Sequence, residues 1–184
     1  MSAIFWYLTV LLTVVVCLSI ALTVAVTGVP TLPSSSSEVD DVIALLKRAQ
    51  LPEHAVIFDL GSGWGTLVVA LAKAFPNASV HGVEISPFPY LISRLRTSGL
   101  ANASVRWENF FRSDLKQADA ITCYLMPGLM PSVCELLDKN LKPGTRVIAN
   151  TFLFRGRTIS TARQGALRGP VALYVWPARH WVAA

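Results

Sequence analysis

The chain has 184 residues, 53% of them hydrophobic and 15% charged, with a formal net charge of +5. That length allows one domain with an appendage, and the composition is too apolar for an ordinary soluble domain, so part of the chain is expected to face lipid. The three cysteines, Cys17, Cys123 and Cys134, have neither metal-ligand nor disulfide-framework spacing, which leaves them as small apolar residues of a reducing compartment.

The apolar excess sits at the N-terminus, where residues 1–37 hold no charged side chain. Residues 3–26, AIFWYLTVLLTVVVCLSIALTVAV, predict a helix about 36 Å long, enough to cross a hydrocarbon core of about 30 Å with some tilt. Phe5, Trp6 and Tyr7 suit an interfacial anchor. A cleaved signal peptide would need a basic leader and a shorter apolar stretch, and no Lys or Arg precedes Lys47. Residues 1–28 are therefore read as a retained transmembrane anchor. Lys47 and Arg48 lie on its C-terminal side, which favours an outside N-terminus and a domain on the cytoplasmic face.

Residues 29–37, with Pro30, Pro33 and a run of serines, form a linker that cannot continue a helix. Ser35 and Glu38 make a capping-box pattern, and Val39, Val42, Ile43 and Leu46 recur at helical spacing. From residue 38 to 184 strands alternate with helices. Strands are predicted at 55–60, 79–85, 103–109, 119–125, 145–154 and 171–177, and helices at 66–75, 89–99 and 131–141. This order predicts an α/β domain, a doubly wound and mostly parallel sheet. His54, His81 and His180 are scattered and read as surface or partly buried residues. The NAS sequons at 77–79 and 102–104 are read as chance, since a cytoplasmic face is not glycosylated.

The first strand runs into GSGWG (61–65). Ligands of open α/β sheets bind beyond the C-terminal strand ends, and glycines there allow a tight turn and close approach of a ligand. The spacing is G-x-G-x-G with Thr66 following, so it matches neither a dinucleotide loop nor a phosphate-cradling loop. Glu84 ends the next strand, where a carboxylate can accept bonds from both ribose hydroxyls. Glu108 and Asn109 end the third, and the Asn109 side chain can meet an adenine edge. A nucleoside without a pyrophosphate fits best.

VIFDLGSGWG, VEIS and WENF together resemble the first three motifs of class I S-adenosylmethionine-dependent methyltransferases across roughly residues 36–155. GVEISPFPYLISRLR, LKPGTRVIANTFLF and the Pro/Ser segment after one span are similar to a family of membrane-anchored protein lysine methyltransferases. That family includes enzymes that modify the adenine nucleotide translocase and the ATP synthase c-subunit, and it has prokaryotic relatives. The resemblance implies a minimal Rossmann-like domain with a seven-stranded type of sheet, S-adenosyl-L-methionine as cofactor and a protein lysine as substrate. It implies that Gly61, Ser62, Gly63 and Gly65 wrap the methionine half of the cofactor and that Asp59 positions it. Glu84 and Ile85 would face the ribose side, and Asn109 stands where an Asp is usual beside the adenine. Trp64 stands where that family has Asp, and Thr66 where Arg is common. Trp64 is expected to cover the cofactor, in preference to packing under the linker near Pro33 and Ser34.

The loop YLMPGLMP (124–131) would face the transferred methyl, with Tyr124 orienting an amine. It lacks the Asn/Asp-Pro-Pro-aromatic loop of nucleic-acid amino methylation, so no nucleic-acid partner and no adenine methylation are expected, and no metal site is expected either. Lipid or small-molecule methylation and a non-catalytic cofactor-binding module are the alternatives. Residues 139–184 carry Lys139, Lys142, Arg146, Arg155, Arg157, Arg163, Arg168 and Arg179 and no acid, which suits anionic lipid beside the anchor. The expected location is a single-pass membrane protein with its domain in the cytoplasm or the mitochondrial matrix.

Overall fold

A computed structural model describes residues 2–27, 36–164 and 169–178. Most of the linker, the Ser35 cap, the neighbourhood of Pro33 and Ser34, and Arg168, Arg179 and His180 lie outside the described residues.

Helix α1 spans Ser2–Thr27. The amphipathic α2 follows at Ser36–Arg48 and buries Val39, Val42, Leu45 and Leu46 on one face. The alternation expected from sequence then unfolds as β1 (Val56–Leu60), α3 (Thr66–Ala74), β2 (Ser79–Glu84), α4 (Pro87–Thr97), β3 (Ala103–Trp107), β4 (Ala120–Cys123), α5 (Met130–Asn140) and β5 (Arg146–Asn150). Two more strands, β6 (Thr161–Gln164) and β7 (Pro170–Val175), complete a seven-stranded sheet in the order β3-β2-β1-β4-β5-β7-β6. Strands β1 to β5 are parallel neighbours, and β7 pairs antiparallel with both β5 and β6.

Side chains along β1 point alternately to the two faces of the sheet. Phe58 and Leu60 enter one core with Ile121, Leu137, Tyr174 and Trp176. Ile57 enters the other with Leu45, Leu46, Val68, Leu71 and Ile148. The chain order reverses between β1 and β4, which opens the topological crevice at their C-terminal ends.

One expected strand is shortened and one strand is new. The strand expected over 145–154 stops at Asn150, because Thr151 takes φ 68°, a conformation that no strand continues through. The segment TARQ (161–164) is a strand that the apolar pattern does not show, since its side chains are exposed or half-buried on an edge. The antiparallel last strand fits the mostly parallel sheet expected from the sequence.

Helix α1 is 26 residues long, about 39 Å at 1.5 Å per residue. Its side chains are described continuously only over residues 3–18. Among the described residues no helix is long and apolar enough to cross a membrane.

Candidate active site

The crevice between β1 and β4 has one wall built of backbone. After β1, the N–H groups of Gly61 and Ser62 both donate to the Val83 carbonyl of β2, at 2.9 and 3.0 Å. Gly65 N–H closes the turn on Ser62 O at 2.9 Å. Glu84, buried at the end of β2, clamps the loop from the other side. Its Oε2 accepts from Gly63 N–H and its Oε1 from Ser86 N–H, both at 2.7 Å. Each carboxylate oxygen keeps a second lone pair for a ligand hydroxyl.

The glycines divide their work. Gly63 sits at φ +51°, and a Cβ there would meet nothing within 4 Å, so this part of the loop faces open space. Gly65 sits at φ +74°, and its Cβ would lie 2.2 Å from Ser93 Oγ, so it exists to let α3 start hard against α4. A Cβ on Gly61 would strike Leu125 of the loop after β4, at 2.8 Å. Sequence reasoning gives all three to the ligand; packing accounts for two. It also misses Gly82, which leaves the room that Ser62 occupies, since a Cβ there would be 2.8 Å from Ser62 Oγ.

Asp59 is buried near the end of β1. Its Oδ1 accepts from Thr122 Oγ1 of β4 at 2.8 Å. Burial raises its pKa to about 7; the Thr122 hydroxyl pulls it back and the negative charge of Glu84 adds to the rise. A cationic ligand group beside it would restore the ionised form. Burial, followed by the Asp59 charge, also pushes the neighbouring Cys123 thiol up to about 12, so it is no nucleophile.

The other wall is made of side chains. Thr122, Cys123 and Tyr124 of β4 and its exit, Asn150 at the end of β5, and Glu38 and Val39 of α2 line a narrow cavity. Tyr124 is half-buried there, and Glu38 is buried. Thr122, Glu38 and Asn150 are not singled out as site residues by the sequence. A lone Thr inside the apolar run AITC was the one available signal.

Farther along the crevice, Ile85 is exposed and its carbonyl accepts from Trp107 Nε1 at 2.8 Å. Asn109 Oδ1 accepts from Phe111 N–H at 3.0 Å and caps a short 3-10 turn. Its amide hydrogens and the second lone pair of Oδ1 remain to meet a base.

Trp64 is half-buried and meets Phe88 of α4 edge to face, with centroids 5.7 Å apart. That contact ties the loop to the start of α4. Arg96 of α4 donates to the Trp64 carbonyl at 2.9 Å and to Thr66 Oγ1 at 3.1 Å. A guanidinium thus reaches position 66 from another helix.

His81 lies midway along β2, bonded to Ser104 at 2.8 Å, and His54 is near Asn77 at 3.3 Å. Burial, and then Arg106, hold the His81 pKa below its ordinary value. Neither ring reaches the crevice, and no metal-ligating cluster exists among the described residues.

The residues fit an amino-acid nucleoside with a positive charge. The buried Ser62 Oγ lacks a hydrogen-bond partner, Gly63 leaves open space, and Asp59 and Glu84 bracket the loop with acceptors. Such a loop–acid arrangement suits S-adenosylmethionine.

Comparison with known proteins agrees. The chain is 29% identical over 153 residues to a protein-lysine N-methyltransferase of Saccharolobus islandicus, covering 80% of this chain and 95% of that protein. It is 32% identical over 133 residues to the rat (Rattus norvegicus) lysine N-methyltransferase of the ATP synthase c-subunit; that match takes in 68% of this chain and 56% of the rat enzyme. The chain thus spans about half the length of the rat protein. Among solved structures, an RNA methyltransferase from Salinibacter ruber in complex with S-adenosyl-L-homocysteine superposes with a TM-score of 0.71 at 25% identity. It covers 83% of this chain and 97% of that one. Residues 59–161 match the ANTKMT methyltransferase domain; the chain belongs to that family and is an S-adenosylmethionine-dependent methyltransferase.

Proposed function

We propose that the chain methylates lysine side chains of a membrane or membrane-near protein, and that α1 holds it at that membrane. The carrying observation is the match to a protein-lysine N-methyltransferase across 95% of that enzyme's length, which supports a lysine substrate.

In this reading the Gly61–Gly65 loop and Ser62 hold the methionine half of the cofactor, and Asp59 takes its amino group. Glu84 takes the ribose, while Ile85 and the Asn109 amide flank the base. Bound S-adenosylmethionine supplies a methyl group already activated by a sulfonium. The chain's own part is positioning and exclusion of water. An apolar cavity wall of Val39, Val42 and Leu67 disfavours a charged lysine and lowers its pKa. The Tyr124 hydroxyl orients the neutral amine.

Anchoring is supported by the surface of α1. Ile4, Phe5, Trp6, Tyr7, Leu11 and Leu12 are all exposed, and the helix carries no charge. A helix apolar on every side belongs in lipid or in a protein core. Lys47 and Arg48 then favour a domain on the cytoplasmic side, or in the matrix for a mitochondrial protein.

The test incubates the purified full chain and radiolabelled S-adenosylmethionine with membranes from cells that lack it. Protein, lipid and RNA are then separated. Label recovered as methyl-lysine after protein hydrolysis is expected. Label confined to lipid or to RNA overturns the substrate class.

A further inference from the structure

Helix α4 and the edge strand β3 make a face unlike the rest of the domain. Residues 85–107 include Arg94, Arg96 and Arg106 and no Asp or Glu. Arg94 and Arg96 of α4 are exposed; Arg106 is exposed too, but it shares the opposite side of the sheet with Ser104 and His81. Beside Arg94 and Arg96 stand Leu91, 57% exposed, Leu95, 71% exposed, and Trp107, 63% exposed. Leu91 and Leu95 are four residues apart, so they share one stripe of α4. Trp107 donates its Nε1 proton to the Ile85 carbonyl at 2.8 Å and stacks on Tyr90, centroids 6.1 Å apart. Its only polar atom is satisfied inside the protein, and what it shows to solvent is bare ring.

We propose that this face docks on an anionic phospholipid bilayer. Its make-up fits that surface: aliphatic and indole groups for the acyl boundary, with the Arg94 and Arg96 guanidinium groups beside them for the headgroups. It also continues from the anchor, because α1 packs against α4. The docking orients the domain that α1 tethers, and in that respect it rests on the anchoring proposed above.

The basic C-terminal region is a poorer fit. Lys142, Arg157 and Arg163 are paired with Asp119, Asp138 and Asp41 at 2.6, 2.5 and 2.5 Å. Docking through α4 has a further consequence for the site. Phe88 and Arg96 hold the rim of the glycine loop at Trp64, so the mouth of the crevice lies at the bilayer, where a membrane protein presents its lysines.

The test uses the full chain in vesicles of phosphatidylcholine, with or without phosphatidylserine, made with brominated acyl chains that quench tryptophan. Emission of Trp107 is read as wild type minus Trp107→Phe. In anionic vesicles that difference is expected to lose most of its intensity, and in neutral ones to keep it. Arg94→Gln is expected to lower the ratio of docked to undocked domain about fivefold, and Arg106→Gln, on the opposite side of the sheet, to leave it unchanged. Alkaline carbonate extraction reads the anchor separately. Difference emission unchanged by bromine in anionic vesicles overturns the docking face, whether or not the chain resists extraction. Quenching that persists in a chain stripped by carbonate leaves docking standing and removes the anchor. Trp107 emission that responds to single-stranded RNA and not to anionic lipid makes the face a nucleic-acid surface and overturns the proposal.

Discussion

The crevice has two walls made in different ways. On the β1–β2 side, the working groups are main-chain N–H groups held by Val83 O and the Glu84 carboxylate. On the β4–β5 side they are side chains, Thr122, Tyr124 and Asn150, with Glu38 facing them from α2. A backbone wall can be altered only by bending the chain, so it suits the ligand every member of a fold must hold. A side-chain wall changes with single substitutions and suits the variable substrate. Asp59 belongs to both: it stands one residue before the end of β1 and takes its hydrogen bond from β4.

Breaking the comparison at Asp59 has the largest expected effect. The unfolded carboxyl ionises near 3.8, but the folded one holds its proton up to about 7. Because the folded pKa is the higher, the unliganded protein loses stability as pH rises from about 4 to about 7, by up to about 4 kcal/mol, and then levels off. Asp59→Asn should abolish that slope in denaturant titrations. A positively charged cofactor demands the ionised form, so wild-type affinity for S-adenosylmethionine should rise by up to about tenfold per pH unit below 7 and flatten above it. Calorimetry showing a flat affinity between about pH 5.5 and 7 would falsify the assignment of Asp59 to the cofactor's cation.

Two glycines of the loop, Gly63 and Gly65, sharpen the backbone side. Gly65→Ala forces a side chain into a left-handed conformation and onto Ser93, and should cost about 3 kcal/mol of stability. Gly63→Ala meets open space, so it should cost only about 1 kcal/mol in stability while lowering cofactor affinity more than any fold effect explains. Equal melting temperatures for the two variants would break the distinction.

Glu84→Ala comes next. It removes the acceptor for two backbone N–H groups and for the ribose, and should weaken cofactor binding by roughly 1.5–3 kcal/mol. Calorimetry is the measurement, and unchanged affinity in a folded variant removes the ribose role.

Much of this was legible in the sequence because it was local. Asp59 and Glu84 stand out as acids ending apolar runs, and strand–helix alternation implied the parallel sheet and its crevice. What was illegible depended on distant segments meeting. Glu38, Thr122 and Asn150 become neighbours only once α2, β4 and β5 are laid side by side. Strand β6 is a polar edge whose burial pattern gives no alternation to read. The neighbour of Trp64 was hidden too: Phe88, 24 positions on, offers it an aromatic edge. The role of Gly65 was hidden for the same reason, since its reason to exist is Ser93 on another helix.

The smallest expected effect tests the side-chain wall alone. Tyr124 is half-buried at the exit of β4 and shares its cavity with Thr122 and Asn150. Tyr124→Phe keeps the ring and its packing and removes one hydroxyl. If that hydroxyl orients the substrate amine, the loss is one neutral hydrogen bond, about 1 kcal/mol, or about a fivefold fall in kcat/KM for the protein substrate. Cofactor affinity and melting temperature should stay at wild-type values, because the backbone wall is untouched. A fall in cofactor affinity without change in methyl transfer at saturating cofactor would move Tyr124 to the other wall. Wild-type values throughout would leave the hydroxyl with no part in the reaction, and substrate positioning would fall to Asn150 and Glu38, the remaining polar groups of that cavity beside Thr122.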